Sequence, residues 1–252
     1  GHRGNINCFK FSPDCQQVAS GGEDKSLRVW DVKEGTELAS HKPGKAAPIH
    51  ALSYSPCGKN IFVARDDRTV SVHCSSTCKQ LGMPWLGHTG PVYTVACSPF
   101  GDIVVSGGSD FSLRIWDAES GKTRGAWEGH TGAIRIAEFS PSGNIIATGG
   151  YDRMIRLWDV RSAKQIENIW APMKGHTAAV RTLAFSPCGT KLSSGGADTT
   201  VRVWELGSGK QIGGGSWRAH AYSVYGVCFD KTGKFLASAS YDKTVKIWDL
   251  ST

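Results

Sequence analysis

Five stretches of the chain alternate apolar and polar side chains and then run into a turn. They are INCFKFSPD from Ile6, VYTVACSPFG from Val92, IRIAEFSPSG from Ile134, VRTLAFSPCG from Val180 and VYGVCFDKTG from Val224. A period of two marks a strand with one buried face, and Pro in the following S-P-x-G predicts a tight reversal. A second pattern follows each strand. SGGEDKSLRVWD, ending at Asp31, recurs as SGGSDFSLRIWD to Asp117, TGGYDRMIRLWD to Asp159, SGGADTTVRVWE to Glu205 and SASYDKTVKIWD to Asp249. VARDDRTVSVHC, ending at Cys74, is a degenerate copy.

The turn acids of these copies are Asp24, Asp67, Asp110, Asp152, Asp198 and Asp242, giving periods of 43, 43, 42, 46 and 44 residues. Gly1-His2, Gly87-His88, Gly129-His130, Gly175-His176 and Ala219-His220 each place a His 22 residues before the turn acid, and Gly44-Lys45 fills that slot in the second unit. Each unit therefore predicts strand, S-P-x-G turn, strand, Asp-turn, strand ending in Trp-Asp, and a more polar outer strand. The units are 1–43, 44–86 (degenerate), 87–128, 129–174, 175–218 and 219–252, the last lacking its outer strand. Short strands at this spacing require an all-β array whose repeats stack to bury their faces.

These residues resemble the WD-repeat β-propeller family over essentially all 252 positions. The resemblance implies four-stranded antiparallel blades around a central channel. It also implies a buried polar tetrad in each blade, in which the Trp indole donates to a Ser or Thr, the hydroxyl to the His and the His to the Asp. The sets are His2, Ser20, Asp24 and Trp30; His88, Ser106, Asp110 and Trp116; His130, Thr148, Asp152 and Trp158; His176, Ser194, Asp198 and Trp204; and His220, Ser238, Asp242 and Trp248. In the second unit Lys45, Val63, His73 and Cys74 replace the family's residues and only Asp67 survives. That blade is expected to have lost its network as a set and to be the least rigid. Trp85, Trp127, Trp170 and Trp217 are expected to pack between blades.

Composition sharpens this picture. Gly at 31 and Trp at 9 disfavour a helical bundle. No apolar run approaches the ~18 residues of a membrane span, and no secretory signal opens the chain, so a soluble protein with no membrane partner is expected. Eight Cys without a framework spacing predict reduced thiols in an intracellular setting, and the lack of a basic block that would mark a nuclear signal makes it cytoplasmic rather than nuclear. The charge, 29 basic minus 22 acidic, is +7 without any block of five Lys or Arg, which disfavours nucleic acid as a partner.

Candidate chemistry is mostly absorbed by structure. Each His, Ser or Thr and Asp set looks like a hydrolase triad, but an active site is not repeated five times at one period. The Gly-Gly pairs precede Asp rather than Lys-Ser/Thr, so no nucleotide loop is predicted. Cys74 and Cys78 beside His73 lack a second pair at zinc spacing. No enzyme, cofactor or metal is expected.

Function is then expected on the rim. In the resembling family, partners dock around the start of the innermost strand and the Asp-turn. By position the first set is Asn7, His50, Tyr93, Arg135, Arg181 and Tyr225, and the second is Glu23, Asp66, Ser109, Tyr151, Ala197 and Tyr241. Tyr93, Arg135, Tyr151, Arg181, Tyr225 and Tyr241 are the candidate partner-binding residues, because Tyr and Arg anchor interfaces and no turn demands them. Tyr93, Arg135, Tyr151 and Arg181 are expected to form one aromatic and cationic arc, with Glu23 and Asp66 opposite. The function predicted is a non-catalytic scaffold binding peptide or protein segments. The alternative is the ligand-sensing array of a larger signalling protein such as a NACHT-type NTPase. Seven blades of this period need roughly 300 residues. The chain is thus read as part of a seven-bladed ring in a longer protein, with blade six offering an edge for pairing.

Overall fold

The computed structural model describes residues 1–42, 44, 47–166 and 173–250. All regular structure in them is β-strand, in six antiparallel sheets, five of four strands and one of three. This is a β-propeller architecture, one sheet per blade. In the first blade the strands are Ile6–Phe11, Gln17–Gly22, Leu27–Asp31 and Glu37–His41, paired in chain order.

The S-P-x-G turn owes its shape to its first and last residues. Its Ser hydroxyl accepts the backbone N–H that opens the next strand, from Gln17 at 2.9 Å in blade one, Asn60 at 3.0 Å in blade two and Lys191 at 3.0 Å in blade five. Blade six has Asp230 instead, whose carboxylate takes the Phe235 N–H at 2.8 Å. The last turn residue lies in the left-handed region, where Gly carries no Cβ penalty: Gly58 has φ 73° and Gly101 φ 79°. Cys15 adopts φ 58° at the same place, a strain of about 1 kcal/mol.

The chain divides into two compact units, Gly1–Glu128 with blades one to three and Gly129–Thr252 with blades four to six. In each, the core lies between blades. Ala19, Leu27 and Val29 of blade one close on Ile49, Leu52 and Tyr54 of blade two, and Phe62, Ala64 and Val70 of blade two on Val92, Val95 and Trp116 of blade three. In the second unit Ala147, Ile155 and Leu157 meet Val180, Leu183 and Trp204, while Val201 and Val203 meet Val224, Val227 and Leu236. Each fully buried aliphatic contributes about 1.5–3 kcal/mol, so the junctions hold the repeats together. The first Gly of the pairs at Gly21, Gly149 and Gly195 permits the approach. A Cβ on Gly21 would stand 2.6 Å from Ile49 Cγ2, and one on Gly195 2.6 Å from Val224 Cγ1.

Trp85 packs between blades two and three, with ring centres 5.8 Å from Phe62 and 5.6 Å from Trp116. Trp217 stacks on Trp248 at 5.2 Å, joining blades five and six. Trp127 is half-buried, and Trp170 and Lys45 lie outside the described residues.

Blade six is the three-stranded sheet, Val224–Phe229, Phe235–Ser240 and Val245–Asp249. Val245 and Ile247 are 68% and 65% exposed, where Val201 and Val203 of blade five are at 0% and 2%. The leading face of blade one is open in the same way, with Ile6 at 56% and Phe9 at 63% against 0% for Ile49 and 1% for Leu52.

Candidate functional site

Five blades carry a buried chain of four polar side chains. In blade three Trp116 Nε1–H donates to Ser106 Oγ at 2.8 Å, Ser106 Oγ lies 2.7 Å from His88 Nε2, and His88 Nδ1 lies 2.8 Å from Asp110 Oδ2. A hydroxyl that accepts from the indole has its proton left for the imidazole. Nε2 therefore accepts, and the Nδ1–H donates to the carboxylate. The backbone N–H of Thr89 adds a bond to the same carboxylate at 3.0 Å. Burial opposes the Asp110 charge, yet the His88 bond and this N–H outweigh it and lower the carboxyl to about 2.

The other sets repeat the geometry. Ser20 Oγ lies 2.8 Å from Trp30 Nε1 and 2.7 Å from His2 Nε2, with His2 Nδ1 3.0 Å from Asp24. Thr148 lies 2.8 Å from Trp158 and 2.7 Å from His130, which is 2.8 Å from Asp152. His176 joins Ser194 at 2.8 Å and Asp198 at 2.9 Å, and Trp204 reaches Ser194 at 2.9 Å. His220 joins Ser238 and Asp242 at 2.8 Å each, and Trp248 donates to Ser238 at 2.9 Å. Ser106, Thr148 and Ser194 are 0% exposed and their hydroxyls are engaged on both sides. Such an oxygen is a structural link, with no path to a substrate.

Blade two corrects the expectation of a stripped network. Arg65 Nε–H donates to Ser71 Oγ at 3.4 Å, Ser71 lies 3.0 Å from His73 Nε2, and His73 Nδ1–H donates to the Cys78 carbonyl at 2.8 Å. Arg65 Nη1 also reaches the Ala47 carbonyl at 3.1 Å. Burial lowers His73 to about 4 and pushes the Arg65 guanidinium down as well. Arg65 stands where blade five has Gly196, and a Cβ there would come 2.6 Å from His176 Nδ1. In blade five a side chain at this position would enter the tetrad histidine's space, and blade two carries Lys45 at the sequence position of that histidine. The signal in the sequence is Val63-Ala64-Arg65 in place of Ser-Gly-Gly.

The rim residues share a backbone device. Pairing of the first and second strands skips one residue between Ile6 and Cys8, Ile49 and Ala51, Val92 and Thr94, Ile134 and Ile136, Val180 and Thr182, and Val224 and Gly226. The skipped residues are Asn7, His50, Tyr93, Arg135, Arg181 and Tyr225. A bulge of this kind re-aims its side chain out of the ladder. The residue before each turn acid is fixed by one backbone bond, from Tyr151 N to Ala133 O at 2.9 Å, Ala197 N to Ala179 O at 2.8 Å and Tyr241 N to Ser223 O at 3.0 Å.

In the first unit these positions find local partners. Asn5 donates to Glu23 at 3.0 Å, His50 Nε2 lies 3.0 Å from Asp66, and the His50 ring meets the edge of Tyr93 at 5.2 Å. Glu23 and Asp66 are thus locally paired rather than a bare acidic side. In the second unit the Arg181 guanidinium lies 4.8 Å from the Tyr225 ring centre, Tyr225 is 6.3 Å from Tyr241, and Tyr241 meets Tyr222 edge-on at 6.1 Å. Tyr151, Tyr222, Tyr225 and Tyr241 are all at least half exposed. The cluster brought together is therefore Arg181, Tyr225, Tyr241 and Tyr222. Tyr93 belongs to the first unit, Arg135 and Tyr151 to the second. Tyr222 was missing from the candidates, although it stands two residues after the marker His where other blades carry Gly90 or Gly132.

Among the described residues no group of three His, Cys, Asp or Glu could hold a metal ion, and no helix is long and apolar enough to cross a membrane. All eight Cys are free thiols.

Residues 1–31, 34–73, 78–117, 121–159, 168–205 and 214–249 match the family model described as "WD domain, G-beta repeat". The chain is 34% identical over 122 residues to "WD repeat, SAM and U-box domain-containing protein 1" of Danio rerio, covering 47% of this chain and 24% of that protein. It is 27% identical over 123 residues to "Guanine nucleotide-binding protein subunit beta" of Arabidopsis thaliana, covering 46% and 33%. With "Protein groucho" of Drosophila melanogaster it shares 32% identity over 118 residues, covering 46% and 15%. The matched segments thus span at most a third of these relatives.

Proposed function

This chain belongs to the WD40 family of G-beta repeats, and on that premise we propose that it is a non-catalytic scaffold that binds peptide or protein segments on the rim of its blades. The observation that carries this reading is the contrast within each blade. The recurrent His, Asp and Ser groups are consumed by internal hydrogen bonds, while Arg181, Tyr225 and Tyr241 sit on or beside bulges, the two Tyr rings at least half in solvent and the guanidinium over Tyr225. The names of its relatives, a G-protein subunit among them, support assembly with other proteins. The same proposal takes each of the six repeats as one blade and has the edge strand Val245–Asp249 pair with a strand from elsewhere. It also puts the protein in the cytoplasm, where free thiols persist.

The test is capture of partners from a lysate by the chain and by the double variant Arg135→Glu, Arg181→Glu. Loss of the principal partners with an unchanged unfolding midpoint supports the rim, and undiminished capture removes it. A sensing array within a larger signalling protein, such as a NACHT-type NTPase, is the second reading. It is favoured by the relative whose name joins WD repeats to SAM and U-box domains. A phosphate-binding loop in sequence joined to this array would support it.

A further inference from the structure

We propose that the turn rim of blade five is a groove for an extended acidic peptide segment, a reading that rests on the rim-binding function above and names its ligand. Tyr151, Ala197 and Tyr241 occupy one position in three successive blades of the second unit, fixed by the same backbone hydrogen bond. The sequence of sizes across them is large, small, large. Tyr151 is 53% exposed and Tyr241 70%, so two rings stand above a floor at Ala197. Tyr225 and Tyr222 thicken the wall on the blade-six side.

Charge decides the occupant. Arg181, the second residue of the first strand of the floor blade, lies over Tyr225 at 4.8 Å from the ring centre; its Nε is buried, so the Nη groups are the donors it can turn toward a ligand. A guanidinium held over a ring loses conformational freedom and can still offer its Nη groups to a carboxylate. Arg153 and Lys243, the exposed residues after the turn acids of the flanking blades, add positive charge. The turn acids themselves offset little of it outwardly. The side chains of Asp152, Asp198 and Asp242 are 3%, 4% and 10% exposed and committed to their histidines. The complementary ligand is an extended segment with Asp or Glu against Arg181 and a bulky apolar side chain on the Ala197 floor between the tyrosines.

The experiment is panning of a random dodecapeptide phage library on the intact chain, followed by titration of the enriched peptide carrying fluorescein. Enrichment of Asp or Glu beside Leu, Phe or Trp is expected. Ala197→Tyr copies the residue of the two flanking blades, so it fills the floor in a form the fold already accepts. It should weaken Kd about tenfold or more, as should Arg181→Gln, whereas Lys234→Gln removes the same charge at the opposite turn and should leave Kd unchanged. Enriched peptides without acids, or an affinity indifferent to Ala197→Tyr and Arg181→Gln, overturn the groove while leaving the scaffold reading intact. Single-stranded oligo(dT) that binds with the same sensitivity to both variants also overturns it, assigning the surface to nucleic acid. If nothing is enriched the groove falls, and the scaffold reading then rests on the partner capture alone.

Discussion

Trp204 Nε1 and His176 Nε2 meet on a single oxygen, Ser194 Oγ, at 2.9 and 2.8 Å. Both rings lie at a blade junction, so removing the oxygen leaves a buried donor and a buried acceptor with nothing to replace water. Ser194→Ala is expected to cost about 2–4 kcal/mol, read as a lowered urea midpoint with unchanged slope. Ser194→Thr keeps the hydroxyl, as Thr148 does in blade four, and should lie close to the parent.

Acid should destabilise the fold in two steps. Burial lowers His73 to about 4, so between its ordinary value near 6.5 and 4 the unfolded chain takes up a proton that the folded one refuses, and stability falls with pH. Asp110 is lowered to about 2, so its contribution is complete above the ordinary value of 3.8 and is lost between there and about 2. Urea midpoints measured from pH 8 to pH 2 check both steps. His73→Phe should flatten the upper step and Asp110→Asn the lower. A parent curve that is flat across 6.5 to 4 would contradict the buried neutral imidazole.

Thiol reactivity should rank by environment. Hydrogen bonds from Ser186 and Thr190 lower the exposed Cys188 to about 7, and those from Ser76 and Thr77 lower Cys74 to about 7. Burial, with Asp102 nearby, pushes Cys97 up to about 12. Timed iodoacetamide labelling at neutral pH, read by peptide mass spectrometry, should modify Cys188 and Cys74 first and Cys97, with the fully buried Cys78, last.

Amide exchange should be fastest in blade six. The earlier expectation placed it in residues 44–86 because a blade without its tetrad would be loose. Arg65, Ser71 and His73 rebuild a polar chain there, and Phe62 and Trp85 close its outer side. In blade six Val245 and Ile247 are mostly in solvent instead. Slower exchange in residues 245–249 than in 70–74 would refute this.

The repeat register carried most of the fold. The period-two runs, the S-P-x-G turns and the spacing from His2 to Asp24 are local patterns, and a strand or turn depends on little else. The rim was legible only as positions. That Arg181 stacks on Tyr225 follows from the bulges that turn both residues outward, and a bulge leaves no residue signature where Asn, His, Tyr and Arg all fill it. Arg65 was missed for a related reason: its role depends on neighbours in space, Ser71 and the Ala47 carbonyl, which the linear pattern does not bring together.

The skipped residue in each first strand has a consequence for how such a surface changes over generations. Because Asn7, His50, Tyr93, Arg135, Arg181 and Tyr225 stand outside the pairing of their strands, exchanging one for another shifts no register and unseats no neighbouring rung. Recognition and folding are written in different letters of the same repeat, so the rim can be respelled one blade at a time while the scaffold stays as it is.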